Sequence, residues 1–330
     1  MNLKVLFQAS FNSRRKAALI ILLAFLLLLF SCASRDAARA EEYFSLGMAY
    51  FDMGKYSEAE LWLNRAKAVN KAMTASEYNL GRIAFETGRY EEAALYFESI
   101  LSRDPNNVMA LKSAAYSRIK NGDLEKAESL YNRVLELVPE SADDGFNYAL
   151  VLYSLSKYEK CEEVLNKYPF ALEENPSSVL LMARTQRAQN KIEAADSYEK
   201  WLAIGTATPQ GLYEYAQILE SAGLYAKALE QYRAAIDSLA QDTNELQKSK
   251  LLFEEARLLL IADPENSEGI TGLNTAVTEG FSDTDAIEDL LLDERITAAG
   301  KEEIRNILNS ILNKEEVKAE EEGEEEGNSS

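Results

Sequence analysis

The sequence predicts an all-α protein built from repeated pairs of short helices. Apolar residues at helical spacing recur along most of the 330 residues, and a period of 34 relates the segments to one another. Only six prolines and fifteen glycines are present, and few of them interrupt the apolar pattern. These observations predict a solenoid of about six or seven stacked helix pairs, followed by capping helices.

The segment 74–107 shows the repeated pattern most completely. Two amphipathic helices are predicted to meet at Gly88, and Pro105 is expected to stop the second helix. Gly81 and Ala93 stand where the two helices would touch, with larger apolar residues around them. Because one helix pair buries too little apolar surface to be stable alone, its stability must come from stacking on its neighbours.

Position by position, the pattern resembles the tetratricopeptide repeat (TPR), with Leu at position 7, Gly or Ala at 8, Tyr at 11, Ala at 20, an aromatic residue at 24 and Pro at 32. This resemblance implies a right-handed α-solenoid over residues 40–280. Glycine at position 15 would end the first helix in a left-handed conformation. The repeats are predicted near 40–73, 74–107, 108–141, 142–176, 177–208, 209–242 and 247–280.

Beyond residue 280 the period is lost. Two short amphipathic helices within 281–313 are predicted to cover the last apolar face of the array. Residues 314–330 are rich in glutamate and contain no aromatic residue, so they are predicted to form an acidic disordered tail. Such a tail would increase solubility or, alternatively, bind a cationic partner.

The N-terminal segment has the pattern of an export signal. Basic residues precede the apolar run Ala17–Phe30, and the sequence Leu29-Phe30-Ser31-Cys32 resembles a bacterial lipobox in which Phe30 replaces the usual small residue. The resemblance implies a lipoprotein signal peptide over 1–31, lipidation of Cys32 and a linker over 32–39. The alternative is an uncleaved signal anchor. Both predict an envelope protein on the extracytoplasmic side of the inner or outer membrane.

Composition excludes several classes of function. The chain has no histidine, which excludes Ser-His-Asp and Cys-His catalysis, and its two cysteines cannot form a zinc site of four ligands. A net charge of −20 argues against binding to nucleic acid. The sequence therefore predicts no enzyme, cofactor, metal site or nucleic-acid partner. Cys161 stands at position 20 and is predicted to be a buried substitute for alanine.

A binding surface is implied by the TPR resemblance. In the family, positions 5, 9 and 12 of the first helix of each repeat face a concave groove. The candidate contact residues selected from these positions are Phe44, Met48, Phe51, Tyr78, Arg82, Phe85, Lys112, Tyr116, Phe146, Tyr153 and Tyr213. One hypothesis is a groove for a protein or peptide partner, oriented by Arg82 and Lys112. The alternative is that the rings pack between adjacent helices or against the chain's own termini.

The predicted function is that of a membrane-anchored extracytoplasmic TPR scaffold that mediates protein–protein interaction. One alternative is a TPR lipoprotein subunit of an envelope machine, involved in outer-membrane protein assembly or associated with a TRAP transporter. Another alternative is a binder of a small apolar ligand. The carboxylate clamp of chaperone-binding TPR domains does not carry over, because only Asn79 of the five corresponding residues has the required chemistry.

Overall fold

A computed structural model of the chain describes residues 35–168, 174–205, 207–239, 247–264 and 267–327. These ranges contain sixteen helices and no strand, so the predicted all-α solenoid class is confirmed. The predicted signal peptide and Cys32 lie outside the described residues. Of the predicted linker, residues 35–39 already belong to the first helix. None of the helices in these ranges is long and apolar enough to cross a membrane.

The described residues form two compact units that divide between Lys157 and Tyr158. Unit 1 begins with α1, residues 35–52, and continues through six further helices. These are α2 (Tyr56–Val69), α3 (Thr74–Glu86), α4 (Tyr90–Leu101), α5 (Val108–Asn121), α6 (Leu124–Leu137) and α7 (Ala142–Ser154). In each repeat the first helix is called the A helix and the second the B helix, so α1, α3, α5 and α7 are the A helices of unit 1.

Unit 2 contains the nine remaining helices of the described ranges. These are α8 (Tyr158–Asn166), α9 (Pro176–Ala188), α10 (Ala194–Ile204), α11 (Pro209–Ser221), α12 (Tyr225–Ser238), α13 (Lys248–Ala262), α14 (Glu268–Thr278), α15 (Thr284–Leu292) and α16 (Ala298–Gly327). The aromatic side chains of Tyr198, Trp201 and Tyr232 are buried in its first core. A second core contains Ile287 of α15 and Ile304 of α16.

Small residues allow the A and B helices of a repeat to approach closely. A Cβ atom added at Gly81 would lie 2.8 Å from Cε1 of Phe97, which is too close for any side chain. Ala59, Ala93 and Ala127, the position-20 residues of the first three repeats, are completely buried. The predicted packing role of positions 8 and 20 is therefore confirmed.

In the clear repeats, the residue at position 15 follows the A helix in a left-handed conformation, as predicted. Positive φ angles occur at Gly54, Gly88, Gly122 and Gly223. The same conformation is adopted by Ser156 (φ 57°) in the fourth repeat and by Asn190 (φ 54°) in the fifth. A serine in this region is strained, whereas asparagine tolerates it better. The turn therefore persists where the sequence pattern has lost its glycine.

A buried arginine joins α5 to the preceding B helix. The side chain of Arg118 is 2% exposed and donates hydrogen bonds to both carboxylate oxygens of Glu98, at 2.8 and 2.9 Å. It also donates to Asp123 at 2.8 Å and contacts Glu91 of α4. The hydrogen bonds that Arg118 donates to Glu98 are the main cause of its raised pKa, so the guanidinium stays charged. These contacts fix the position of α5 against α4.

Ion pairs recur at a spacing of 29 residues. They join Glu60 to Arg89 at 2.9 Å, Glu128 to Lys157 at 2.5 Å and Glu162 to Lys191 at 2.5 Å. In each case a B-helix carboxylate contacts the turn that follows the next A helix. Exposed pairs of this kind contribute about 0.2–1 kcal/mol each. They therefore add weakly to the apolar stacking.

Helix α16 differs from the prediction for the C-terminal end. Residues 314–330 were expected to be disordered, but the backbone is helical through Gly327. Glutamate, lysine and alanine favour helix, and the packed residues Ile304 and Leu308 provide a nucleus from which the helix extends. The backbone of residues 314–327 is thus helical where the sequence predicted a disordered tail.

Candidate functional site

The candidate residues of unit 1 lie on one surface, which we call the A-helix face. It consists of Phe44, Met48, Phe51, Tyr78, Arg82, Phe85, Lys112, Tyr116, Phe146 and Tyr153. The guanidinium of Arg82 lies 4.4 Å from the ring centroid of Phe51, which joins α3 to α1. The rings of Phe85 and Tyr116 stack with centroids 5.1 Å apart, which joins α3 to α5. The structure thus brings Phe51, Arg82, Phe85 and Tyr116 into contact across consecutive A helices.

Hydrogen bonds and an ion pair also fix side chains of the A-helix face. The hydroxyl of Tyr78 lies 3.0 Å from the hydroxyl of Ser113 on the next A helix. Lys112 forms an ion pair with Asp144 of α7 at 2.5 Å. Arg82 also donates a hydrogen bond to Asn79 at 2.9 Å. The two cations expected to orient a peptide are therefore engaged by the protein's own side chains.

The A-helix face is packed and accessible at the same time. The ring of Phe51 packs against the core cluster around Leu63 and Leu80, and the ring of Phe85 packs against that around Ala93 and Phe97. Tyr116 nevertheless remains 47% exposed, and the other members of the face are half-buried. The rings therefore pack between adjacent A helices, as the alternative interpretation requires, and still remain partly exposed to solvent.

Tyr213 in unit 2 does not fit the predicted role in partner contact. It is only 8% exposed, and its ring packs 6.1 Å from that of Tyr232. Gln217 donates a hydrogen bond to its hydroxyl at 2.8 Å, and Lys250 of α13 lies over the ring. Burial raises the pKa of Tyr213 to about 12, so the phenol stays protonated. Neighbouring helices enclose this side chain, so it is a core residue.

Sequence reasoning missed the polar partners of the A-helix face. Asp144 is buried. It forms an ion pair with Lys112 and accepts a hydrogen bond from the hydroxyl of Ser141. Ser113 is the partner of Tyr78. Sequence spacing could have indicated both contacts. Asp144 follows Lys112 by 32 residues and Ser113 follows Tyr78 by 35, and each spacing is close to one repeat period. Asp144 does not occupy a groove position of the family pattern, and Ser113, which corresponds to a carboxylate-clamp residue, was not expected to contact Tyr78.

One cavity in unit 2 is polar. It has a volume of about 470 Å³ and is lined by Gln217, Glu220, Ser221, Tyr225, Glu254, Arg257 and Arg295. Arg257 donates hydrogen bonds to both carboxylate oxygens of Glu220, at 2.8 and 2.6 Å. A lining of paired charges does not favour an apolar ligand.

Cys161 lies where the sequence predicted it. The thiol is completely buried in unit 2, and its sulfur lies 3.3 Å from the hydroxyl of Thr185. It occupies the position that alanine fills in the neighbouring repeats, so its predicted packing role is confirmed. Within the ranges described, no group of carboxylates and cysteine could hold a metal ion.

Comparison with protein families agrees with this geometry. Models of the tetratricopeptide repeat match residues 44–108 and 84–143. The chain is a TPR protein. A third family model, of anaphase-promoting complex (cyclosome) subunit 3, matches residues 120–200. TPR proteins mediate protein–protein interactions, and the fold is that of a scaffold family rather than of an enzyme family.

Individual proteins resemble this TPR chain at low identity. An uncharacterized lipoprotein of Treponema pallidum (strain Nichols) is 23% identical over 164 residues, which are 50% of this chain and 84% of the relative. A TPR protein from Parabacteroides merdae superposes with a TM-score of 0.54 at 21% identity, covering 78% of this chain and all of that chain.

The structure of Pseudomonas aeruginosa pilF superposes with a TM-score of 0.50 at 18% identity, covering 72% of this chain and 97% of its own. At these identities, both structural similarities show a shared fold.

Proposed function

We propose that this TPR protein is a lipid-anchored scaffold without catalytic activity, which holds a protein partner on the extracytoplasmic side of a bacterial membrane. The A-helix face of unit 1 is the contact surface. Tyr213 is left out of this surface because it is buried.

The observation that carries the proposal is the set of partly exposed aromatic side chains on α1, α3 and α5. Aromatic side chains supply large contact area with few rotatable bonds, and they dominate the binding energy of many interfaces. Contacts with Arg82 and Tyr116 already hold the rings of Phe51 and Phe85 in place. A partner therefore binds a preorganised surface and loses little side-chain entropy of the scaffold.

The chemistry of the face favours an amphipathic partner segment. Lys112 is neutralised by Asp144, and the guanidinium of Arg82 is stacked on Phe51, so little free positive charge is offered. An apolar stripe on a helix or an extended peptide would match the partly exposed aromatic side chains. A partner recognised mainly by its terminal carboxylate would not.

The membrane anchor is supported by the sequence around Cys32 and by the similarity to the T. pallidum lipoprotein. In this proposal Cys32 becomes the acylated first residue of the mature chain. The TPR units then remain attached to the extracytoplasmic surface of a membrane.

The partner contact is tested by replacing Phe85 and Tyr116 with alanine together. We expect the affinity for a partner identified by crosslinking in intact cells to fall about thirtyfold, which corresponds to about 2 kcal/mol. Both side chains are partly exposed, so the fold should persist. Calorimetry with the purified partner measures the change.

A matched control replaces Leu61 and Leu95, exposed apolar residues on the B helices α2 and α4. This pair removes similar apolar area from another surface and should leave the affinity unchanged. Equal losses from both double variants would contradict a specific role for the A-helix face.

The anchor is tested by metabolic labelling with palmitate. We expect the wild-type protein to be labelled and to sediment with membranes, and Cys32→Ala to lose the label. Cys161→Ala is the matched control, because it removes the buried thiol and should leave labelling intact. Labelled Cys32→Ala protein would refute lipidation at this residue.

A further inference from the structure

The first helix pair has an uncovered apolar surface, which we call the end face. It is formed by Tyr43, Leu46 and Tyr50 of α1 and by Trp62 of α2. Leu46 is 37% exposed, whereas the residues at the same position of the next three repeats are at most 2% exposed. Those three are Leu80, Ala114 and Tyr148.

The difference has a simple structural cause. In later repeats this side of the A helix contacts the preceding B helix, as Arg118 of α5 shows through Glu91 and Glu98 of α4. Among the residues that the structure describes, no helix precedes α1. The end face is therefore an exposed solenoid end that carries the residues of an internal packing surface.

The end face combines aromatic rings with cations at its border. The rings of Tyr43 and Trp62 lie 5.5 Å apart, and the guanidinium of Arg65 stacks 4.4 Å from the Trp62 ring. Lys55 lies 6.0 Å from the ring of Tyr50. The third cation at the border is Arg39, which is exposed and stands one helical turn before Tyr43.

Three acidic residues accompany these cations. Asp36 lies 3.9 Å from Arg39, Glu42 stands one helical turn before Leu46, and Glu58 stands one helical turn before Trp62. The border of the end face therefore carries both signs of charge in equal number, whereas the whole chain has a net charge of −20. Tryptophan and tyrosine bordered by arginine and lysine are typical of protein surfaces at the bilayer–water interface.

Part of the end face is close in sequence to the proposed acyl chain. The described part of α1 starts at residue 35, three residues after Cys32. Three extended residues span at most about 10 Å. Tyr43 follows the start of α1 by eight residues, or roughly 12 Å along the helix axis. An acylated Cys32 would keep this surface close to the lipid headgroups.

We propose that the end face rests on the phospholipid surface, with Trp62 and Tyr43 at headgroup depth and Arg39, Lys55 and Arg65 near lipid phosphates. The membrane thus covers the solenoid end that no repeat within the described ranges precedes. This inference rests on the lipid anchor of the proposed function. A second contact of this kind adds to acyl anchoring and restricts the orientation of unit 1 at the membrane.

The test uses the full lipidated protein reconstituted into vesicles of phosphatidylethanolamine and phosphatidylglycerol, with or without brominated acyl chains. Trp62 and Trp201 are the only tryptophans, and Trp201 is buried in unit 2. We expect brominated lipid to quench most of the Trp62 emission. The variant Trp62→Phe supplies the background from Trp201.

Two variants make the test specific to this surface. Leu46→Glu is expected to abolish the quenching of Trp62 while the protein still floats with vesicles. Leu95→Glu, an exposed substitution on α4, is the matched control and should retain quenching. Arg65→Glu alters an exposed side chain that cannot affect the core, and it should weaken quenching even if Leu46→Glu lowers stability.

The outcomes separate the two proposals. Flotation with quenched Trp62 supports the end-face contact. Flotation without quenching overturns it and leaves the anchor intact, and crosslinked dimers in that case would assign the end face to a second copy of the chain. Failure of the wild-type protein to float overturns the anchor and this inference together.

Discussion

Replacing Trp201 with alanine is expected to destabilise unit 2 by about 3–5 kcal/mol. The side chain is 2% exposed, and it packs against Tyr198 with ring centroids 6.4 Å apart. It also fills the space above Gly211, where an added Cβ atom would lie 2.4 Å from the indole. Removing the indole therefore leaves a large cavity bounded by a backbone that carries no side chain to fill it.

Hydrogen exchange measured by mass spectrometry should locate this effect. Protection should fall in peptides of α10 and α11, where Trp201 and Gly211 lie, with little change in unit 1. Trp62→Ala is the matched control, because Trp62 is half-buried on α2 and should cost clearly less. An equal loss of stability from both variants would contradict the assignment of Trp201 as the centre of the unit 2 core.

Replacing Arg118 with methionine is expected to destabilise unit 1 by about 3 kcal/mol. Methionine keeps much of the side-chain volume but leaves Glu91, Glu98 and Asp123 close together without their shared cation. These carboxylates are each at least one third exposed, so solvation reduces their repulsion and keeps the loss near the lower end of the range for buried pairs. Urea denaturation followed by circular dichroism measures the change.

Control variants can separate the loss of the buried charge of Arg118 from the loss of an arginine elsewhere in unit 1. Arg133→Met removes an arginine on α6 that is exposed and contacts the oxygen of Pro105, so it should change stability by less than about 0.5 kcal/mol. Adding Glu98→Gln to Arg118→Met should recover part of the loss, because one unpaired carboxylate is removed. If the double variant were no more stable than Arg118→Met, electrostatic repulsion would not be the cause.

The solenoid could be predicted from sequence because its packing depends on residue size at fixed spacing. Glycine at 81 and alanine at 93 are visible as small residues in a repeated pattern, and their close approach follows directly. Arg118 shows the limit of this approach. It occupies position 11, where the pattern expects tyrosine, and its carboxylate partners lie on α4 and in the turn before α6. Periodicity does not indicate which of the residues that depart from the repeat pattern form ion pairs with other segments.

The sequence indicated where the candidate residues lie on the A helices, but only partly whether each of them is exposed or buried. The groove positions of the TPR family placed Phe51, Phe85 and Tyr116 on one surface. The contact of Phe51 with Arg82 and the stacking of Phe85 on Tyr116 agree with that placement. The same spacing also selected Tyr213, which is buried because α12 and α13 enclose it. Exposure depends on the neighbouring helices of each repeat, and a pattern within one helix does not contain that information.

The burial of Cys161 has a chemical consequence. If Cys32 is acylated, Cys161 is the one remaining thiol of the mature chain. Enclosure between α8 and α9 keeps oxidants and other thiols from its sulfur, so an oxidising compartment would leave it reduced while the protein is folded. Separation of these helices would expose a reactive group, so the rate of its alkylation reports how often this part of the solenoid opens.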